Sequence, residues 1–417
     1  MSELLSTARE TAKFLPEHVF FSRTDDRGII QSANSVFQIV SEFSWTEIIG
    51  ASHKIVRHPA MPRAVFRLLW SRITAGKPVG IYVVNRTKGG DAYAVLAVSM
   101  PFEDGYVSVR LKPMSDQVDE IKALYDDIAR QEAAEGLDPE ESLRRLLSRI
   151  EEMGFSDYDA FMADAIEHEL LVRVSHLQKL KPHEVVTLSA IQAAVETIAA
   201  AGRDLDALLL QTNQIPDNMR LQAMRLEGRD GPIGVISANY QMMTETFTQS
   251  LKDFLAAAES AVAPVREAKF LAATGILVSE VARQLRTETG IRPEKKAADL
   301  QALERLATLY EEKAAQAVKD VARRAEYFDR ISKDMRRMVF GLEMTRTMCN
   351  IERSKSSSDT DALDGVVERL HSAETQLSDL MTDVEGAVHD IMDRAGNLLR
   401  SRKDRRPPVN IRTVAAE

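Results

Sequence analysis

The most informative stretch of this sequence is His53-Lys54-Ile55-Val56-Arg57-His58-Pro59, continued by Ala60-Met61-Pro62. Its prolines predict a turn, because proline fixes its own backbone and restricts the residue before it. Phe66 and Trp70 follow four residues apart, so they share one face of the helix expected after the turn. An aromatic helix face after an Arg-His turn predicts either plain core packing on a sheet or one wall of a flat pocket.

Strand-like segments flank this stretch on both sides. Residues 20–23 and 28–32 surround the turn Asp25-Asp26-Arg27-Gly28, and residues 34–43 predict a short helix. Glycine-containing turns separate three further β-rich runs, at residues 81–87, 92–100 and 106–111. Together these segments predict an antiparallel sheet of about five strands.

After Pro113 the sequence has a helical pattern almost throughout. Residues 116–135 predict a connector helix, and Asp138 is placed to cap the helix that follows. A long helix is expected from Pro182 to about residue 213, because apolar and small residues recur there at alternating spacings of three and four. This heptad seam contains Ile191, Val195, Ile198, Gly202, Leu205, Leu208 and Thr212, with Ile215 in register. We expect Gly202 to be its weak point.

Apolar helical spacing resumes after a glycine-rich interruption at residues 228–234. It continues from Ile236 and through two more long stretches, residues 294–347 and 361–401. The predicted fold class is therefore α+β, with a five-stranded antiparallel sheet and its helices first and a long all-α helical bundle or coiled coil after it.

The composition is that of a soluble protein with a charged surface. Hydrophobic residues make up 44%, charged residues 28%, and the net charge is −9 without a long basic stripe, so we expect no nucleic-acid partner. Cys349 is the single cysteine, which excludes an intrachain disulfide and suits a reducing cytoplasm. No apolar run approaches the roughly 18 residues that cross a bilayer, so we expect no transmembrane segment and a cytoplasmic location.

The first part of the chain resembles the PAS sensor domain of bacterial aerotaxis receptors. The likeness covers roughly residues 15–112, and Arg57-His58-Pro59-x-Met61-Pro62 is its most specific part. The resemblance implies a PAS domain that binds FAD without a covalent bond. Carried over by position, it implies that six residues surround the cofactor: Asn34, Arg57, His58, Phe66, Trp70 and Asn85.

These six residues are chemically consistent with a flavin. Phe66 and Trp70 supply flat apolar walls, and the amide of Asn85 or Asn34 suits the polar edge of the ring. The sequence departs from the family where Ala60 replaces an aspartate and Val79 replaces a tryptophan. An apo state and a haem therefore stay open, and a haem would need an axial ligand, for which His53 and His58 are the nearest histidines.

A second resemblance lies in the helical part, over about residues 190–255. Gln211-Thr212-Asn213, Asn218 and Val235-Ile236 resemble the hairpin tip of methyl-accepting chemotaxis receptors. The resemblance implies that Gln211, Thr212, Asn213 and Asn218 contact a chemotaxis histidine kinase and its coupling protein. Pro216 and Pro232 depart from the family pattern, so a generic coiled coil is the alternative.

The expected organisation has six parts. They are an N-terminal cap (1–14), a PAS sensor domain (15–112), connector helices (113–181), a chemoreceptor-like hairpin (182–290), a C-terminal helical bundle (291–403) and a flexible tail (404–417). The resulting hypothesis is a homodimeric or higher-order signal transducer that senses redox, oxygen or energy state through a flavin. The alternative is a cofactor-free scaffold that assembles partners. No catalytic or metal-binding motif is found, so no enzyme activity is expected.

Overall fold

The computed structural model describes residues 4–9, 11, 13–212, 214–226, 231–289, 293–355 and 361–405. The chain forms two compact units, each built from two segments of sequence. The first unit contains Met1–Val186 and Arg266–Ala315, and the second contains Thr187–Val265 and Gln316–Glu417. Asn213 and residues 406–417 of the predicted tail lie outside the described residues.

The first unit is built on the predicted five-stranded antiparallel sheet. Its strands are β1 (Val19–Asp25), β2 (Ile30–Ala33), β3 (Val79–Arg86), β4 (Ala92–Phe102) and β5 (Gly105–Leu111). Their order in the sheet is β2-β1-β5-β4-β3, with every neighbouring pair antiparallel. Gly105 is required where β5 begins, because an added Cβ would lie 2.0 Å from the Thr24 carbonyl oxygen. The α+β prediction is confirmed.

Short helices cross one face of this sheet. They are α1 (Ser35–Ser41), α2 (Trp45–Ile48), a 3-10 turn (His53–Val56) and α3 (Arg63–Thr74). Helix α3 begins directly after Pro62, as the sequence predicts, and buries Ala64, Val65, Leu68 and Ile73. The sequence analysis did not predict α2 or the 3-10 turn, because elements of one turn carry no periodic pattern.

Three longer helices follow the sheet in sequence: α4 (Gln117–Glu135), α5 (Pro139–Glu152) and α6 (Tyr158–His176). Helix α5 packs mainly against α3, whereas α6 packs against β3. From α6, the Tyr158 hydroxyl donates to the Gly80 carbonyl at 2.8 Å, and Glu169 accepts from the Tyr82 hydroxyl at 2.9 Å. The carboxylate of Asp138 accepts from two backbone N–H groups of α5, which confirms the predicted cap.

The second unit is a bundle of long helices with heptad seams. The remaining described helices are α7 (His183–Thr212), α8 (Ile215–Leu226), α9 (Pro232–Thr287), α10 (Pro293–Lys355) and α11 (Asp361–Arg405). The parts of α9 and α10 within residues 266–315 belong to the first unit. Every residue of the seam predicted on α7 is buried. Gly202 is a point of close approach, because a Cβ there would lie 2.6 Å from Leu255 of α9. That it is the weak point of the seam stays a prediction.

Helices α10 and α11 continue the core of the second unit. Phe328 of α10 packs edge-on against Phe254 of α9, with ring centroids 5.6 Å apart. Arg336 joins α10 to α11, because its guanidinium donates to Ser378 and Glu385 at 3.0 to 3.1 Å. Four long helical segments of one chain therefore share contacts within this unit.

One stretch of the described residues, His183–Leu221, is long and apolar enough to cross a membrane by length and composition. It includes α7, and the sequence analysis did not expect such a run. Just over half of its most apolar window, 56%, is buried inside the protein. All the heptad-seam positions of α7 are buried, so we assign the stretch to the bundle core.

Candidate functional site

A cavity of about 130 Å³ lies between the sheet and helix α3. The apolar part of its lining comes from Leu69 and Ile73 of α3, Ile81 and Val83 of β3, and Ala97 of β4. The strand residues alternate along β3, so they point to the same face of the sheet. The cavity thus occupies the position at which the sequence predicts a flat pocket.

Aromatic rings form two walls of this cavity. Trp70 and Tyr106 meet edge to face, with ring centroids 5.6 Å apart. The Trp70 ring also lies against Gly28, where an added Cβ would be 3.2 Å away. Gly28 has a φ of +77°, a conformation that side chains other than glycine rarely adopt. The turn after β1 therefore needs glycine both for its backbone and for the space that Trp70 occupies.

Arg57 covers the third aromatic wall, Phe66. Its guanidinium lies 3.7 Å from the ring centroid, and Nη2 donates to the Met61 carbonyl at 3.1 Å. Burial lowers the pKa of Arg57. The backbone of Arg57 also forms a bridge with Asn85 of β3, so the loop before α3 is attached to the sheet beside the cavity.

A buried basic residue, Arg110 of β5, extends into the cavity lining. Only 4% of Arg110 is exposed, and Nη1 donates to the Ser22 hydroxyl at 3.0 Å and to the Ser108 carbonyl at 3.1 Å. Its Nη2 lies 2.8 Å from Nε2 of His53. Burial lowers the pKa of Arg110 to about 10. Burial, and then the charge of Arg110, lower the pKa of His53 to about 3.

The sequence analysis did not place Arg110 in the site, and it considered His53 only as a haem ligand. The sequence of β5 does contain a hint of this position, because its residues alternate between two faces. Ser108 and Arg110 share one face of the strand, whereas the other face carries Val107, Val109 and Leu111. An arginine inside a short strand departs from the usual strand composition, and such departures are expected at functional sites.

The lining carries a strong excess of positive charge. Among the described residues that line the cavity, Arg27, Lys54, Arg57 and Arg110 are basic and none is acidic. Asn85, Ser99 and Ser108 add neutral hydrogen-bonding groups. Flat apolar walls together with cations and no carboxylate favour a flat ligand that carries negative charge.

Four of the six residues predicted to surround the cofactor line this cavity: Arg57, Phe66, Trp70 and Asn85. Asn34 is fully buried elsewhere, where Oδ1 accepts from the Phe21 backbone N–H at 3.2 Å and Nδ2 donates to Glu288 at 3.1 Å. His58 is also buried outside the lining, and its Nδ1 accepts from the Ala60 backbone N–H at 3.3 Å.

The geometry around the histidines bears on the haem alternative. Nε2 of His53, which an iron would need, accepts a hydrogen bond from Arg110, because a guanidinium can only donate. His58 lies outside the lining. The described residues therefore fit a flavin better than a haem.

The predicted partner-binding residues lie near the junction of α7 and α8. Gln211 is exposed and Asn218 is half-buried. Thr212 is buried, and its hydroxyl donates to the Leu209 carbonyl of its own helix at 3.0 Å. Their contact with a kinase or coupling protein stays a prediction.

Comparison with known proteins supports the first resemblance. The chain is 32% identical to the aerotaxis receptor of Escherichia coli (strain K12) over 130 residues, which are 30% of this chain and 26% of the receptor. The chain thus spans about a quarter of the length of that curated relative. The light-state structure of the blue-light photoreceptor Aureochrome1 LOV matches 30% of this chain and 95% of its own, with a TM-score of 0.23 and 14% identity. No protein-family model matches the chain.

The N-terminal region is therefore a homologue of the PAS region of the aerotaxis receptor, as the sequence predicts. The likeness of the helical part to a chemoreceptor tip stays a prediction.

Proposed function

We propose that this protein is a cytoplasmic signal transducer whose PAS domain binds FAD in the cavity beneath α3 and reports redox, oxygen or energy state. The observation that carries the proposal is the cavity lining, with three aromatic residues, four basic residues and no acidic residue among those described. Homology of this region to an aerotaxis receptor supports the same function.

The side chains that line the cavity have the chemical groups that FAD binding needs. Phe66 and Trp70 offer flat surfaces to a ring, Asn85 offers both donor and acceptor atoms, and the basic residues suit a diphosphate. When bound, a flavin supplies reversible electron transfer, whereas the protein supplies binding and orientation.

The cavity is too small for a ligand of this size unless side chains of its lining move. At about 130 Å³ it is smaller than the roughly 300–1,000 Å³ of most ligand pockets. The Arg57 guanidinium lies flat on Phe66, which is the surface that a planar ring would use. We infer that ligand binding moves Arg57 off Phe66, which frees that wall and leaves the guanidinium to pair with a phosphate.

A direct contact links α3 to the predicted connector helix. Glu132 of α4 accepts hydrogen bonds from the backbone N–H groups of Arg63 and Ala64, the first residues of α3. Helix α3 carries Phe66 and Trp70, so a shift of α3 on ligand binding or reduction would move Glu132 and α4 with it. The proposed relay thus begins at the cavity wall and enters the helices through Glu132.

The proposed output is a chemotaxis kinase and its coupling protein, bound at the junction of α7 and α8 by a homodimer or a higher oligomer. Pull-down with both proteins tests this step. Binding that is lost when Gln211 and Asn218 are both replaced by alanine supports it. Absence of binding by the wild-type protein contradicts it and favours the scaffold alternative.

Titration of apo protein with FAD tests the sensor step. We expect saturable binding of one FAD per chain, weakened at least tenfold by Trp70→Ala and by Asn85→Ala. Phe43→Ala is the matched control, since Phe43 is an aromatic residue of the same unit that lies outside the lining. Binding that is equally unaffected by all three substitutions would contradict the assignment of the site.

A further inference from the structure

Arg110 is a buried charge without a countercharge. Its guanidinium is 4% exposed and hydrogen-bonds to a hydroxyl, a carbonyl and an imidazole, all of them neutral acceptors. No carboxylate of the described residues forms an ion pair with it. Burial of a charge in such surroundings is unfavourable unless the charge is compensated.

The other arginine that is buried among the described residues, Arg173, does have its countercharge. Arg173, 1% exposed, forms a two-pronged ion pair with Glu280 at 2.7 and 3.1 Å. This pair lies outside the cavity lining and has a structural role. Arg110 lacks such a partner and faces the cavity, so a ligand is the group in position to supply the negative charge.

His53 fixes the direction of Arg110. Because Arg110 donates to Nε2, that nitrogen carries no proton and the imidazole is neutral. His53 lies in the 3-10 turn, and its ring also contacts the Phe37 ring at 5.9 Å between centroids. The imidazole is therefore held on two sides, and it holds Nη2 of Arg110 in turn.

We propose that Arg110 binds the electron-rich edge of the flavin ring, and that His53 is the positioning residue that directs it there. The inference rests on the proposed flavin site and adds a consequence for its redox behaviour. The oxidised ring is neutral with oxygen acceptors along one edge, whereas the reduced ring with a single added proton carries a negative charge. A fixed cation in a buried cavity attracts the reduced ring more strongly, so Arg110 raises the reduction potential.

The test is the midpoint potential of FAD on the full-length protein, measured against a reference dye. Dithionite supplies the two electrons and is oxidised to sulfite, and water supplies the proton. Arg110→Gln should lower the potential by about 30 mV or more, which corresponds to a tenfold loss of preference for the reduced ring in a two-electron couple. Arg110→Lys keeps the positive charge, so it should lower the midpoint potential less than Arg110→Gln does.

Arg86→Gln is the matched control, because Arg86 is an exposed arginine of β3 outside the cavity lining. It should leave the potential unchanged. His53→Gln should lower the potential by a smaller amount than Arg110→Gln, because the cation stays but loses its fixed direction.

The outcomes separate this inference from the proposed function. Flavin-loaded Arg110→Gln with the wild-type potential overturns the role of Arg110 and leaves the flavin site standing. Wild-type protein that takes up no flavin overturns both. If Arg110→Gln does not fold, the midpoint potential of FAD bound to the wild-type protein is compared with that of free FAD in the same buffer. A higher potential on the protein supports the inference, and an equal or lower potential contradicts it.

Discussion

Glu132 of α4 accepts a hydrogen bond from the backbone N–H of Arg63, the first residue of α3, at 2.9 Å. Its second oxygen accepts from the Ala64 N–H at 3.1 Å, so one carboxylate satisfies two free donors at a helix start. The negative charge also suits the positive end of the helix. Helices α3 and α4 are thus joined directly at the start of α3.

Glu132→Gln should loosen the start of α3. We expect a loss of about 1–3 kcal/mol in the free energy of unfolding, since the bonds involve a charged and buried acceptor. Hydrogen exchange of the first α3 amides should accelerate. Glu120→Gln, on the exposed face of the same helix, is the control and should change neither quantity. Equal effects of the two substitutions would contradict the proposed link.

Gly28→Ala should impair both the turn and the cavity wall. The φ of +77° predicts a cost of about 1–2 kcal/mol for any side chain, and the new Cβ would press on Trp70. Gly76→Ala is a matched control, because Gly76 has a φ of +75° and no neighbouring atom within 4 Å. Both should lower the melting temperature, and only Gly28→Ala should also weaken FAD binding in the titration.

Acid should destabilise the protein through His53. Its folded pKa of about 3 lies below the usual value of 6.5, so between these two pH values the unfolded chain binds a proton that the folded chain does not. The contribution of His53 to the free energy of unfolding is complete above pH 6.5. It falls by up to about 1.4 kcal/mol per pH unit as the pH drops toward 3.

His53→Gln should flatten this dependence when unfolding by urea is followed from pH 7 to pH 4. His176→Gln, an exposed histidine of the same unit, serves as the control and should keep the wild-type slope. A slope that His53→Gln leaves unchanged would show that other groups cause the acid sensitivity.

Gly202→Ala should destabilise the helical bundle despite the better helix propensity of alanine. The added methyl group would lie 2.6 Å from Leu255, so we expect the free energy of unfolding to fall by about 1–3 kcal/mol. Gly386 has open space around it, so Gly386→Ala should raise the free energy of unfolding by up to about 1 kcal/mol. Leu255→Ala in the Gly202→Ala background should recover part of the loss in denaturant unfolding. No recovery would argue against the close approach.

Regular patterns made much of the fold predictable. The seam through Ile191 and Leu205 repeats every three or four residues, so its helix and its buried face follow from sequence alone. The sheet was predictable because its strands are bounded by glycine-containing turns. The one-turn helix α2 carries no such period, and its place depends on the strands around it.

The site was predictable only where its residues are local to one motif. Arg57, Phe66 and Trp70 lie within a short stretch and line the same cavity, and their contact with a cofactor stays a prediction. Asn34 was expected at the cofactor, but its amide bonds to Glu288, which is 254 residues away in sequence. Such a partner leaves no local pattern. Arg110 was missed for a similar reason, since its missing countercharge is visible only once the strands and the 3-10 turn are assembled.

The decisive measurement is the absorbance spectrum of the native protein, with identification of any small molecule released on denaturation. If the PAS domain binds FAD, the protein is yellow, its flavin spectrum bleaches on reduction, and it releases FAD in a one-to-one ratio to the chain. A colourless protein that also fails to take up FAD in the titration would contradict it, and the cofactor-free scaffold would then be the better description.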